Sequence, residues 1–291
     1  TRLSEIGVYL NAHPSLLGNP MTLAGIMLLS IGFLFKIAVA PFHMWTPDVY
    51  EGAPTPITAF MSAGPKAAAF AAFLRIMEYC FFSLKPEWTA VLWGLAVLTM
   101  VIGNVIAISQ TNIKRMLAYS SIAHAGYALV GMVAANEIGY SGVLFYMLAY
   151  TFMNIGAFAI LVLAGKKGEK NLTLEGFSGF GYKRPLLGVA FAICLFSLMG
   201  IPPTAGFAGK FYIFAGAVKA GYIWLAVIGV LNSAVSLYYY LRVMVYMYFR
   251  DAEEDYAWVT VSGSVAISII VALIGICLLY TSPSPRDRTR S

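Results

Sequence analysis

The sequence predicts an all-α integral membrane protein, a polytopic bundle of about eight transmembrane helices. Two observations support this fold class. The 291 residues are 60% hydrophobic and only 11% charged, whereas soluble domains carry about 25% charged residues. The mean hydropathy is +0.77, and the apolar residues form runs of about 20, which is the length that crosses a bilayer as a helix. Too few polar residues are present to cover a globule in water, so lipid is the expected solvent.

Eight apolar runs define the predicted spans. They lie at residues 21–42, 55–77, 88–109, 116–135, 141–164, 186–218, 222–247 and 258–280. Residues 1–20 are expected to form a polar, extracytoplasmic leader before a transmembrane domain at 21–280. The chain starts without Met and without a signal-peptide pattern, so we expect it to begin within a longer protein. Residues 281–291 are rich in Pro, Ser and Arg, and are predicted to be a disordered, non-native tail.

Two of the runs are predicted to be broken helices. Residues 186–218 would reach about 50 Å as one helix, against a bilayer core of about 30 Å. Pro202 and Pro203 in its middle remove backbone donors, which predicts two half-helices joined by unwound backbone. Pro41, shortly after Lys36, predicts a similar break in the first run. Such breaks are tolerated where protein or a wet cavity surrounds them, as at transporter ion sites.

The basic residues predict the orientation, because cytoplasmic loops carry an excess of Lys and Arg. They concentrate in the loops after spans one, three, five and seven, which are therefore predicted to be cytoplasmic: Lys114, Arg115, Lys166, Lys167, Lys170, Lys183, Arg184 and Arg250. The opposite side carries only Arg2, Lys85 and Lys219. No basic face with interleaved aromatic residues is present, so nucleic acid is excluded as a partner.

Three lysines inside apolar runs, Lys36, Lys66 and Lys210, are the main candidate functional residues. A charge at the bilayer centre costs about 2.5–3.5 kcal/mol on insertion scales, so its presence indicates a role. Burial disfavours the ammonium, which lets a desolvated lysine take up and release protons near neutral pH. The alternative is that the long side chains reach the interface. No Asp or Glu lies mid-run, so a carboxylate partner is expected elsewhere.

Further ionisable groups could complete a proton relay. His43 follows the Pro41 break and His124 lies within span four; each could instead be a hydrogen-bonded structural histidine. Lys114, at the start of the same span, could be a relay group or an orientation charge. The Tyr238–Tyr240 run with Arg242 is interpreted as an interfacial anchor. The three cysteines lack any metal-ligand spacing and are interpreted as buried single thiols.

Three long motifs resemble the antiporter-like membrane subunits of respiratory complex I, the NADH:quinone oxidoreductase. They are FKIAVAPFHMWTPDVYEGAPTP at 35–56, SQTNIKR at 109–115 leading into YSSIAH at 119–124, and GIPPTAGFAGKFY at 200–212. Lys210 and LYYYLR at 237–242 are most similar to subunit N, because the sister subunits usually have glutamate where Lys210 stands. The resemblance covers about residues 3–280.

The resemblance implies an antiporter-like inverted-repeat fold of fourteen helices, of which this chain holds the last eight. It implies that Lys36 and Lys66 are relay lysines of one half-channel and that Lys210 belongs to the second. Lys114 and His124 would link to the cytoplasmic side. The glutamate that the family pairs with these lysines would lie on a helix before residue 1.

The function implied is proton translocation in a bacterial inner membrane, coupled to quinone reduction elsewhere in the complex. NADH, FMN, iron–sulfur clusters and quinone would be handled by other subunits, so no cofactor is expected in this chain. The expected partners are other membrane subunits, the lipid bilayer and protons. Three alternatives stay open: a multi-subunit sodium/proton antiporter, a related membrane-bound hydrogenase, and a structural spacer with inert lysines.

Overall fold

A computed structural model of the protein describes residues 2–165, 169, 171–252, 256 and 260–281. Within them the chain forms thirteen α-helices in this order: α1 Leu3–Ala12, α2 Pro14–Leu17, α3 Pro20–Lys36, α4 Trp45–Gly52, α5 Thr55–Cys80, α6 Lys85–Ser109, α7 Ile113–Ala134, α8 Glu137–Ala164, α9 Phe180–Lys183, α10 Pro185–Met199, α11 Ala205–Lys219, α12 Ile223–Phe249 and α13 Gly263–Thr281. The all-α prediction is therefore confirmed. Residues 282–291 of the predicted tail lie outside the described residues.

Six helices are long and apolar enough to cross a membrane, namely α5, α7, α8, α12, α13 and α6 with its preceding turn. They coincide with six of the eight predicted spans. The last of them starts at Gly263 rather than at residue 258. The predicted leader contains the short helices α1 and α2.

The two remaining predicted spans are the ones expected to be broken, and both are interrupted. The run 186–218 divides into α10 and α11, separated by residues 200–204 around Pro202 and Pro203. The first run gives the 17-residue α3, which ends at Lys36. Turns then continue over residues 37–44, and Ala38 has a φ of 63°. A further bend of 116° between Glu175–Lys183 and α10 was not predicted.

Helix α7 is the centre of the bundle. It packs against α4, α5, α6, α8, α11 and α12, and 94% of its apolar window is buried. Helix α13 lies at the periphery, with 17% of its window buried. Cys80 and Cys194 are buried thiols as predicted, but Cys277 on α13 is exposed.

The basic loops that the sequence analysis assigned to one side meet at one end of the bundle. Ile113 at the start of α7 donates its backbone N–H to Leu172 at 2.8 Å, and Gly179 donates to Tyr246 near the end of α12 at 3.2 Å. The cytoplasmic location of this end stays a prediction, and Lys166, Lys167 and Lys170 lie outside the described residues.

Small residues let α6 and α7 approach closely. A Cβ atom added at Gly103 would lie 2.6 Å from the backbone nitrogen of Ala123 and 2.9 Å from the carbonyl oxygen of Tyr119. Real Cβ atoms do not approach backbone atoms so closely, so any larger residue at Gly103 would push the two helices apart. Gly94, on the same helix, has open space at its Cβ position.

We expect Gly103→Ala to lower the free energy of unfolding of the full-length protein by about 1–3 kcal/mol, the usual cost of overpacking. Gly94→Ala is the matched control and should be neutral or slightly stabilising. Thermal unfolding in detergent measures both. Equal melting temperatures for the two variants would show that the α6–α7 contact is looser than described.

Candidate functional site

Polar side chains form a row along one face of the enclosed helix α7. Lys114, Ser121, His124 and Tyr127 follow one another at spacings of seven, three and three residues, which place them on one face of an α-helix. At 1.5 Å per residue the row extends about 20 Å along the helix. All four residues are buried, so each polar group depends on protein partners from the surrounding helices.

Lys66 meets this row from α5. Its side chain is 2% exposed, and Nζ donates to the carbonyl oxygen of Ser121 at 2.9 Å and to Ser121 Oγ at 2.5 Å. No carboxylate within the described residues pairs with it. The predicted burial of Lys66 is confirmed, and an ammonium here would be stabilised by dipoles alone.

His124 lies between two buried tyrosines. Nδ1 is 2.5 Å from the hydroxyl of Tyr146 on α8, and Nε2 is 3.1 Å from the hydroxyl of Tyr240 on α12. Tyr240 also hydrogen bonds with Ser120 Oγ on α7. Both ring nitrogens are therefore engaged with groups that can either donate or accept a proton.

Lys210 occupies the break between α10 and α11. Its Nζ donates to the carbonyl oxygens of Leu198 at 3.1 Å and Met199 at 2.8 Å, and to Ser233 Oγ at 2.8 Å. These carbonyls end α10, where the helix has no further backbone donors to offer. The ammonium also lies 4.8 Å from the centre of the Tyr127 ring, a favourable cation–π distance.

An amide network joins Tyr127 to α6 and α12. Asn104 Nδ2 donates to the Tyr127 hydroxyl at 3.1 Å and to Asn232 Oδ1 at 3.3 Å, while its Oδ1 accepts from the Tyr239 hydroxyl at 3.0 Å. Two further buried polar atoms, Tyr150 Oη and Asn154 Nδ2, have no described partner. Buried polar atoms of this kind are where bridging water is commonly found.

Lys114 starts the row at the basic end of the bundle. It is 1% exposed, and Nζ donates to the carbonyl oxygen of Ala53 at 2.7 Å and to Glu169 Oε2 at 2.5 Å. Thr55 N–H donates to the other carboxylate oxygen of Glu169 at 3.0 Å. Lys114 is thus a buried, paired lysine rather than a solvated loop charge.

The Glu169 carboxylate is ionised in this pair. Partial burial opposes its ionisation, but the hydrogen bonds from Lys114 and Thr55 outweigh burial and hold the pKa of Glu169 below its usual range. The stabilisation from this pair is therefore present at neutral pH, and is lost as pH falls through the lowered pKa. Glu169 also has a φ of 55°, which residues other than glycine rarely adopt.

Lys36 and His43, the two predicted residues at the first helix break, lie apart from the row on α7. Lys36 was expected to be buried, but it ends α3 with an exposed side chain. The reason is that no described helix covers that face of α3. His43 is 6% exposed, and its Nδ1 has no described partner. Neither residue joins the row on α7.

The prediction that Tyr238–Tyr240 and Arg242 form an interfacial anchor was wrong. Tyr239 and Tyr240 are fully buried members of the polar networks, and only Tyr238, at 57% exposure, faces outward. Arg242 donates to the carbonyl oxygens of Ile108, in the last turn of α6, and of Gln110, which directly follows that helix. Four further site residues were not predicted, because isolated Ser, Tyr or loop Glu residues carry no signal until their partners are known: Ser121, Tyr127, Tyr146 and Glu169.

The described residues contain no cluster of three or more His, Cys, Asp or Glu side chains that could hold a metal ion. What they hold is three lysines, a histidine and several hydroxyl groups, arranged from the basic end of α7 to the break at Lys210. Groups of this kind exchange protons without making or breaking carbon bonds.

Comparisons with known proteins follow the same line. The family described as "NADH:quinone oxidoreductase/Mrp antiporter, TM" matches residues 1–236. The chain is 63% identical over 266 residues to NADH-quinone oxidoreductase subunit N of Trichlorobacter lovleyi, covering 91% of this chain and 55% of the relative. It is 48% identical over 288 residues to subunit N 1 of Herpetosiphon aurantiacus, covering 98% and 59%. The chain thus spans about half the length of these relatives.

Solved structures give the same fold. A chain of respiratory complex I from Thermus thermophilus superposes with a TM-score of 0.75 at 37% identity, covering 96% of this chain and 62% of that one. A chain of the Mrp complex from Dietzia superposes with a TM-score of 0.74 at 21% identity, covering 94% and 59%. At that identity the second likeness establishes the fold alone.

The two ends of the tyrosine run provide a test of the site. Tyr240→Phe would remove the partner of His124 Nε2 and of Ser120, and an unsatisfied buried polar group costs about 1–3 kcal/mol. We expect a clear drop in the melting temperature of the full-length protein in detergent. Tyr238→Phe, on the exposed face of the same turn, should leave it unchanged. An unchanged melting temperature for both variants would show that the His124–Tyr240 hydrogen bond contributes nothing to stability.

Proposed function

The chain belongs to the NADH:quinone oxidoreductase/Mrp antiporter membrane family, and from that premise we propose that it forms part of a proton-translocating subunit of an NADH:quinone oxidoreductase. One observation carries the proposal. Lys66 and Lys210 are buried in the bundle without any described carboxylate partner, and such groups in a membrane mark ion or proton pathways. The similarity to two proteins named subunit N supports the redox-linked branch.

The proposed pathway follows the row on α7. Protons enter at Lys114, pass Lys66 and Ser121, and reach His124 between its two tyrosines. They continue past Tyr127 to Lys210 at the helix break. Ser and Tyr hydroxyls can accept and donate in turn, and water beside Tyr150 and Asn154 would bridge the remaining steps.

Electrostatic coupling is the proposed driving force. Redox energy released in a neighbouring subunit changes the charge state of a carboxylate–lysine pair, which changes the proton affinity of the next lysine in turn. Lys36 and His43 would take part at the first break, where the exposed face of α3 leaves room for a carboxylate from the rest of the subunit. The chain itself makes and breaks no covalent bonds other than those to protons.

The proposed partners are the other subunits of the complex, which carry out the redox chemistry, and the lipid bilayer. NADH, FMN, iron–sulfur clusters and quinone are bound by other subunits of the complex, and this chain contributes only to proton movement. The apolar outer faces of α12 and α13 suit lipid or neighbouring membrane subunits. Sodium/proton exchange is not favoured, since the two subunit N relatives are at least 48% identical to the chain.

The proposal is tested in the full-length parent, assembled in its complex and placed in membrane vesicles with NADH as donor. Lys66→Ala and Lys210→Ala should each abolish most of the NADH-driven proton uptake, because proton transfer through a positioned group typically contributes about 10²–10⁴-fold. The complex should still assemble.

Lys219→Ala is the matched control, since Lys219 is exposed at the end of the helix that carries Lys210. It should pump normally. Normal pumping by Lys66→Ala and Lys210→Ala would instead make both lysines packing residues and favour a structural role for the subunit. Sodium-dependent proton flux without NADH would favour the antiporter.

A further inference from the structure

Glu169 is the one described carboxylate that pairs with a buried lysine. The other described ion pairs join Arg115 to Asp48 at 2.8 Å and to Glu51 at 2.7 Å. Glu169 lies between α8 and α9, and nothing in the sequence pattern distinguishes it from the other charges at 166–170. Its Oε2 is 2.5 Å from Nζ of Lys114, the first group of the row on α7.

The exposure of the two partners is unequal. The side chain of Glu169 is 31% exposed, whereas that of Lys114 is 2% exposed. Lys114 therefore has almost no direct access to solvent, while Glu169 touches both solvent and Lys114. Glu169 is therefore the more accessible of the two groups for a proton that arrives from this end of the bundle.

A cavity lies at the same place. Its volume is about 490 Å³, and Glu51, Asn112, Lys114 and Glu169 are among the residues that line it. Gly52, Ala53 and Pro54 also line it, and the carbonyl oxygen of Ala53 accepts from Lys114. The cavity is large enough for several water molecules and is lined by groups that can hydrogen bond them.

The two acids paired with Arg115 are less suited to the same task. Asp48 and Glu51 are held by the Arg115 guanidinium, a group that does not lose its proton in proteins. Neither acid contacts a lysine within the described residues. Arg115 itself, one position from Lys114, cannot serve as a proton donor for the same reason.

We propose that Glu169 is the proton-entry group of the pathway, passing protons from the cavity to Lys114. This inference rests on the proposed function, and it adds the group that connects the buried row to solvent. When Lys114 gives its proton inward, the carboxylate loses the positive charge beside it, and its affinity for a proton rises.

The proton balance closes over one cycle. A hydronium ion in the cavity protonates Glu169 Oε2 and becomes water, and the resulting carboxylic acid donates that proton across the 2.5 Å contact to the neutral amine of Lys114. The carboxylate and ammonium are then restored, and one proton has moved inward. Arg115, Asp48 and Glu51 are the described charges that adjoin this pair, through the Arg115 ion pairs and the cavity wall. Glu175, Lys183, Arg184 and Arg250 are further described charges at this end, and Lys166, Lys167 and Lys170 lie outside the described residues.

Glu169→Gln in the full-length parent, assembled in its complex, tests the proposal. Glutamine keeps the size and an acceptor oxygen for Thr55 but cannot carry the proton. We expect NADH-driven proton uptake to fall about tenfold at about pH 8, and by much less at about pH 6, because abundant hydronium can then reach Lys114 without the carboxylate. Glu175→Gln is the matched control, an exposed acid a few residues further along, and should pump normally.

Three other outcomes would overturn the inference. Uptake equal to that of Glu175→Gln at every pH would show that Glu169 carries no protons. A loss of proton uptake of the same size at both pH values would indicate that the Glu169–Lys114 ion pair has a structural role only. If Glu169→Gln fails to assemble, Glu169→Asp tests the entry role instead. The shorter carboxylate should retain most of the proton uptake, and a loss of uptake in Glu169→Asp would contradict the entry role. Proton uptake by Lys66→Ala is measured in parallel. Loss of uptake in Lys66→Ala with normal uptake in Glu169→Gln would contradict the entry role alone, whereas normal uptake in Lys66→Ala would contradict the proposed pathway.

Discussion

The enclosure of α7 by protein is the constraint on which the rest of the structure depends. Its apolar window is 94% buried, yet the helix carries a lysine, several hydroxyls and a histidine. Unpaired polar groups in such a place cost several kcal/mol each in hydrocarbon, by order of magnitude. The surrounding helices therefore supply partners at each level: Lys66 from α5, Tyr146 from α8, Tyr240 from α12. The same partners that stabilise the fold create the row of proton-exchanging groups.

The break between α10 and α11 likewise supplies hydrogen-bond partners to a buried polar group. Where α10 stops at Met199, two carbonyl oxygens become free to hold the Lys210 ammonium. A continuous helix would have used those oxygens for its own hydrogen bonds, and the Lys210 ammonium would have kept only Ser233 Oγ as a hydrogen-bond acceptor. The double proline at 202 and 203 thus has a chemical consequence beyond bending the chain. It places a charged side chain in the interior at a cost that the backbone itself offsets.

Much of the fold could be predicted from the sequence because bilayer thickness imposes a length on apolar runs. The breaks at Pro41 and Pro202–Pro203 followed from the missing N–H groups, and the burial of Lys66 and Lys210 followed from their apolar surroundings. The partners of α7 could not be predicted in the same way. Tyr239 and Tyr240 have the composition of an interfacial anchor, and only the rotation of α12 turns them inward. Lys36 shows the reverse: its apolar neighbours predicted burial, but the helices described here leave it exposed.

If the hydrogen-bonded groups along α7 conduct protons, His124 connects Lys66 on one side of the row with Lys210 on the other. The most direct measurement is NADH-driven proton uptake by the assembled complex carrying His124→Asn, which keeps hydrogen-bonding capacity but cannot titrate. The account predicts that the complex assembles and that uptake is largely lost, since the step between Lys66 and Lys210 needs a group that can hold a proton. Normal uptake with His124→Asn would contradict it, and would make the histidine a structural bridge between Tyr146 and Tyr240.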